Sequence, residues 1–253
     1  MSKETRETTV EHELLNIPIA SEQSHTILIT KTLTLTNFIS GEVSHRLEKI
    51  DLLATYISGP LSLRQILNNG LVSRMGGSAD TLNAKVKVTN GLVMIHPTQL
   101  RSLGIGTFLF DQVVRWAINF DPSLEVATIK AGSGDATKDN QARRNRFYAN
   151  FGIRFSDNEN IEDVIAGLSL PMRAKDLIPY DGWKSKLEVL TLDKSLRRME
   201  DEHQMLREKN VELTRCIQAK ERALERRDSS HRQYFKFYVC IIVALGLALA
   251  WKW

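Results

Sequence analysis

Residues 92–110 read LVMIHPTQLRSLGIGTFLF. An apolar run ends at Ile95 to Pro97. Two glycines one residue apart, Gly104 and Gly106, then open a stretch in which Phe108, Leu109, Val113, Trp116 and Ala117 fall at helical spacing. A strand that passes through a glycine turn into a helix start presents backbone N–H groups without acceptors at the positive end of the helix dipole. Such a turn suits an anion, a phosphate or pyrophosphate above all, and glycine lets the backbone approach it with no Cβ in the way. The spacing is not that of a dinucleotide turn and no Walker lysine follows, so dinucleotides and nucleoside triphosphates fit poorly. A tight helix entry with no ligand is the alternative reading of the same residues.

Working outward, HTILITKTLTLTNFI (25–39) alternates as a strand does, HRLEKIDLLATYIS (45–58) suits a strand or a helix, and SLRQILNN (62–69) suits a short helix. AKVKVTNGLVMIHP (84–97) reads as a strand stopped by Pro97, and LEVATIKAG (124–132) as the next one. DATKDNQARRNRFYANFG (135–152) reads as a helix ended by Gly152, IRF (153–155) begins a last strand, and a Gly- and Pro-marked region holds 167–183. Strands alternating with helices predict an α/β fold with a mixed sheet, over residues 25–183. The polar start, MSKETRETTVEHELLN, has no apolar core, which excludes an ordinary cleaved signal peptide and leaves 1–24 as a disordered N-terminus.

At 253 residues, 42% hydrophobic and 25% charged, the chain holds one domain of ordinary size and an appendage. With 34 Lys and Arg against 30 Asp and Glu, net charge +4, the surface is mixed, so nucleic acid is allowed but not implied. The two cysteines, Cys216 and Cys240, and six scattered histidines spell neither a disulfide framework nor a metal site, and a reducing compartment fits.

HPTQLRSLGIGTFLFDQVVRWA resembles the acetyl-CoA-binding motif of the GNAT N-acetyltransferase superfamily, with Arg101, Gly104 and Gly106 meeting its pattern. Downstream, NRFYANFGIRF is similar to the second motif of that superfamily, a helix with an Asn and a Tyr ending in a Gly. The resemblance is carried by residues 92–155. It implies a GNAT-like, mostly antiparallel mixed sheet flanked by helices, with acetyl-CoA as co-substrate, no metal, and an amine-bearing acceptor of unknown class. It places the pyrophosphate on the amides of Leu103, Gly104, Ile105, Gly106 and Thr107, and the pantetheine arm along Met94 and Ile95. Tyr148 stands where the family often has the acid that protonates the leaving thiolate, although Phe147 and Tyr148 also suit a core. Asn145 suits either a hold on the pantetheine or a neighbouring carbonyl, or a solvated helix face. Asp135 is the first candidate for the general base and His96 the second, although Asp135 also suits a helix N-cap, His96 precedes Pro97 in a turn, and an ordered water chain is the alternative to either. Arg143, Arg144 and Arg146 suit either the CoA 3′-phosphate, an acidic substrate or a solvated helix face.

Counted from Val189, the a and d positions of a heptad read Val189, Leu192, Leu196, Met199, His203, Leu206, Asn210, Leu213, Ile217, Lys220 and Leu224. A long coiled-coil helix over 184–230 follows, with a solitary charged helix or one packing back on the domain as the alternative, and a single Asn at an a position favours a parallel homodimer. From Tyr234 to Trp251 the text YFKFYVCIIVALGLALAW is apolar except for Lys236, spanning about 27 Å as a helix. Aromatic residues bracket it and Lys252 can snorkel, which predicts a single-pass transmembrane tail anchor over 234–251, with a buried core helix as the alternative. Arg226, Arg227, Arg232 and Lys236 before it keep the upstream domain in the cytoplasm, with a bacterial inner membrane as the expected location. The composite expectation is a membrane-tethered N-acetyltransferase. Its rival is a non-catalytic scaffold or adaptor carrying a GNAT-like binding domain, and an acetyltransferase acting on nucleic-acid-associated targets rests on the arginine run alone, with membrane tethering against it.

Overall fold

Period-2 burial decides the first half of the chain: Ile50, Leu52, Ala54 and Tyr56 are all buried, which makes 45–58 strand rather than helix. The computed structural model describes residues 3–19, 24–40, 43–60, 63, 67, 70–90, 94–132, 138–155 and 164–250. At 3, 40, 43, 138, 139, 225–233, 236 and 243–250 it describes the backbone alone. The strands are β1 (Lys3–Pro18), β2 (Ser24–Ser40), β3 (Val43–Ser58), β4 (Leu71–Asp80), β5 (Lys85–Lys87), β6 (Glu125–Val126), β7 (Lys130–Ala131), β8 (Gly167–Leu168) and β9 (Glu188–Thr191). The α-helices are α1 (Ile105–Phe120), α2 (Lys138–Asn150) and α3 (Leu192–Ala250).

One sheet has the order β6-β5-β4-β3-β2-β1-β9, and β7 pairs with β8 apart from it. All pairs are antiparallel except β5 with β6. The fold is thus α/β, a mixed and mostly antiparallel sheet flanked by helices. Alternation in β2 puts Ile27 and Ile29 on the face shared with Leu15 and Ile17 of β1 and with Leu52 and Ala54 of β3. The β-branched threonines at 30, 32, 34 and 36 take the other face. The apolar stripe of α1 covers the Ile27 face at β4. A Cβ on Gly77 would stand 2.7 Å from the Trp116 ring, so helix and strand approach closer there than a side chain permits. Helix α2 packs on α1 through rings, Phe110 lying 5.2 Å from Phe147 and 4.7 Å from Phe151.

Several expectations are corrected. Residues 1–24, taken as disordered, contain the 16-residue β1. Its first half reads as polar because both of its faces are exposed, while the backbone ladder to β2 holds it in register. Val189, placed in the coiled coil, lies in β9 opposite Leu15, so the long helix starts at Leu192 rather than at 184, and the sheet unit extends past 183. The strand read over 124–132 breaks into β6 and β7 because it changes partner midway. Residues 153–155 form no strand, although Ile153 and Phe155 are buried. The short helix of 62–69 falls largely outside the described residues.

Two compact units result, 1–192 and 193–253. The described residues of the second, 193–250, are one uninterrupted helix. Its parent α3 counts 59 residues, about 88 Å of axis. Among the described residues no helix is long and apolar enough to cross a membrane, and the side chains of 243–250 and all of 251–253 fall outside them.

Candidate anion-binding site

Ser102 at φ +65° and Gly104 at φ +90° twist the chain into α1. The left-handed region costs a non-glycine residue about 1–2 kcal/mol, so Gly104 is the residue the turn requires. Gly106 is different: a Cβ there meets Ile95 and Met75 at 3.7 and 3.8 Å, ordinary contact. Packing does not explain that glycine, whereas the approach of a ligand to the backbone would. Gly104 caps the helix without a side chain, and the first helical bond is from the Phe108 N–H to the Gly104 carbonyl at 2.9 Å. The amides of Ile105, Gly106 and Thr107 therefore have no acceptor within the helix. Arg101 points elsewhere than the sequence motif suggests. Its Nε donates to the Ile95 carbonyl at 3.1 Å and ties the turn to the strand end before it.

Beside this turn the parallel pair parts. Val86 and Val126 are in register, and the Ala127 N–H donates to the Val86 carbonyl at 2.7 Å. Beyond that point the two segments choose opposite neighbours. Asn90 and His96 donate to the Gly76 and Val72 carbonyls of β4, while β7 pairs with β8. Among the described residues no hydrogen bond joins 94–96 to 127–132. Met94 is exposed on that open edge, and the Ile95 carbonyl is occupied by Arg101.

The second motif is assembled differently. Tyr148 lies among rings, 5.3 Å from Phe147 and from Phe155 and 5.9 Å from Phe110. Asn145 is fully buried, its Nδ2 donating to the Val164 carbonyl at 2.8 Å and its Oδ1 accepting from Arg144. Arg144 is spent on the Gly132, Val164 and Ile165 carbonyls, a clamp from α2 onto the end of β7 and the segment before β8. Arg143 and Arg146 are exposed. Asp135 lies outside the described residues. His96 ends the open edge, before a cis Pro97. Among the described residues no three His, Cys, Asp or Glu side chains gather as metal ligands, and Cys216 and Cys240 are free and exposed.

Sequence reading missed Asp111. It sits on the apolar face of α1 between Phe110 and Val113, and a carboxylate in that stripe is the signal that was available. Fully buried, it accepts from the Tyr180 N–H at 2.9 Å, the Trp183 Nε1–H at 3.1 Å and the Arg115 Nε–H at 2.9 Å. No protein family, curated protein or solved structure matches this chain.

Proposed function

We propose that the chain is an acetyl-CoA-dependent N-acetyltransferase of GNAT type that acts on an amine acceptor. The carrying observation is the conjunction of the Gly104–Thr107 turn, whose amides lack helical acceptors, with the parted parallel strands beside it. A diphosphate on the amides and an extended arm along Met94 use the two unpaired backbone edges at once. Direct attack of an amine on the thioester then needs one group to take a proton and one to return it to the thiolate. Tyr148 is assigned the second role by the resemblance. The tether is part of the reading: the apolar residues 234–251 anchor the protein in a membrane, the enzyme domain faces the cytoplasm, and α3 pairs in parallel with a second copy.

Titrating the whole chain with acetyl-CoA tests the reading. Gly106→Ala is expected to weaken binding sharply while leaving the melting transition in place, because a Cβ at 106 fits the fold. Tyr148→Phe is expected to keep binding and lower kcat by about 10² to 10⁴ with a working acceptor. Wild-type protein that takes up no acetyl-CoA overturns the reading. One observation favours the rival, a non-catalytic binding module: Asn145 is engaged in holding α2 to Val164. A Tyr148→Phe protein with full kcat would remove Tyr148 from the chemistry.

A further inference from the structure

The segment from Tyr180 to Leu187 is fixed against the start of α1. The buried Asp111 carboxylate grips it through the Tyr180 N–H and the Trp183 indole, and the Trp183 ring stands edge-on to Phe108, centroids 5.0 Å apart. A buried carboxylate with several donors is a directional anchor, so the residues that follow arrive at a set place. That place is the glycine turn. The Lys186 ammonium donates to the Ser102 carbonyl at 2.9 Å, and a Cβ on Gly104 would lie 3.5 Å from the Lys186 Cβ. Among the described residues no carboxylate pairs with Lys186.

A second observation comes from the sheet beneath. Ser73 of β4 faces the same way as Met75, two residues on, and lies across from the segment in which the His96 N–H donates to the Val72 carbonyl. Met75 and Ile95 are the side chains that a Cβ on Gly106 would touch. Ser73 is 4% exposed, and its Oγ has no hydrogen-bond partner among the described residues. A buried hydroxyl in that condition, on the face that the helix start covers, is a donor waiting for an acceptor.

We propose that Lys186 supplies the counter-charge, and Ser73 a hydroxyl donor, for a diphosphate held on the amides of the Gly104–Thr107 turn. On binding, the ammonium exchanges the Ser102 carbonyl for a phosphate oxygen; no covalent bond changes. The inference rests on the acetyl-CoA reading for the identity of the ligand, but the group recognised is the diphosphate, whichever molecule carries it. Lysine is apt here because a compact ammonium on a flexible stem can reach from one acceptor to the other.

The test titrates the whole chain with acetyl-CoA and, separately, with inorganic pyrophosphate. Lys186→Gln is expected to weaken both by about tenfold or more and to flatten the salt dependence, with Lys186→Arg restoring most of the affinity. Ser73→Ala is expected to weaken both about fivefold while raising the melting temperature of the free protein, a pairing that a packing role does not produce. Wild type binding acetyl-CoA, with Lys186→Gln equal to it, overturns the proposal and leaves the acetyl-CoA reading intact. Pyrophosphate bound through Lys186, with acetyl-CoA ignored, supports the site and overturns that reading. Neither ligand bound overturns both. Ser73→Ala binding as wild type removes the hydroxyl from the site.

Discussion

The same residue types meet opposite fates in the two units of this chain. Leu15 and Ile27 of the sheet unit are 0% exposed, whereas Leu213 and Ile217 of α3 are 54% and 57% exposed. In the first unit, period-2 alternation delivers apolar side chains to a face that α1 and its neighbours cover. In the second, the 3-4 spacing draws an apolar stripe along a helix that, among the described residues, has no second element in its own unit. Stability in the first is intramolecular. In the second, on the proposed parallel pairing of α3, it depends on an added partner and therefore on concentration.

The largest expected effect breaks the closed side of that contrast. Asp111→Ala removes the acceptor of the Tyr180 amide and the Trp183 indole, and leaves buried donors unpaired. Urea unfolding of the sheet unit is expected to lose about 3–5 kcal/mol, with Asp111→Asn losing less because the amide oxygen still accepts. Helicity from α3 should persist through that transition. A loss under about 1 kcal/mol would mean that the segment after Tyr180 holds its place without this anchor.

The next effect acts on the open side. Leu213→Asp places a charge on the stripe, and is expected to abolish self-association by sedimentation while leaving the thermal transition of the sheet unit unmoved. Asn210→Leu is expected to do the reverse, tightening association and loosening the choice of oligomer, since the polar a-position residue trades stability for register. Monomeric wild type at high micromolar concentration would show that the stripe has a different occupant.

Legibility follows the same division. The strand at 25–39 and α1 were readable because each repeats one period for long enough to be unambiguous, and α2 because Gly152, at φ +80°, marks its end. Strand β1 was not, because among its described side chains only Leu14, Leu15 and Ile17 are buried and its order comes from hydrogen bonds to β2, which leave no mark on composition. Val189 was misplaced for a related reason: a heptad counted backwards from a real helix runs past its start, and a strand contact cancels it. In the candidate site the turn was readable from two glycines. The direction of Arg101 toward Ile95, the commitment of Asn145 to Val164 and the return of Lys186 to Ser102 were not, because each joins residues whose proximity the topology creates.

The smallest effect sharpens the contrast, because only a unit with an interior lowers a histidine by burying it. His25 is 7% exposed, shares a hydrogen bond of 3.1 Å with the Tyr56 hydroxyl, and has its pKa lowered by desolvation of the charged form. The unfolded chain takes up this proton near pH 6.5, the folded chain only at lower pH. Between those two values the unfolded state holds more protons, so stability rises with pH. His25 thus contributes nothing adverse above about pH 6.5, and its contribution is lost progressively as pH falls from there toward the folded pKa. His25→Gln keeps a hydrogen-bonding group opposite Tyr56 and removes the titration. Unfolding midpoints compared at about pH 7.5 and about pH 5.5 are expected to fall less in the variant than in the wild type. Because every other group is the same in both proteins, the difference of the two slopes isolates His25. Equal slopes would mean that His25 is hydrated well enough in the folded protein to take its proton at the ordinary pH, and that this end of the sheet is open.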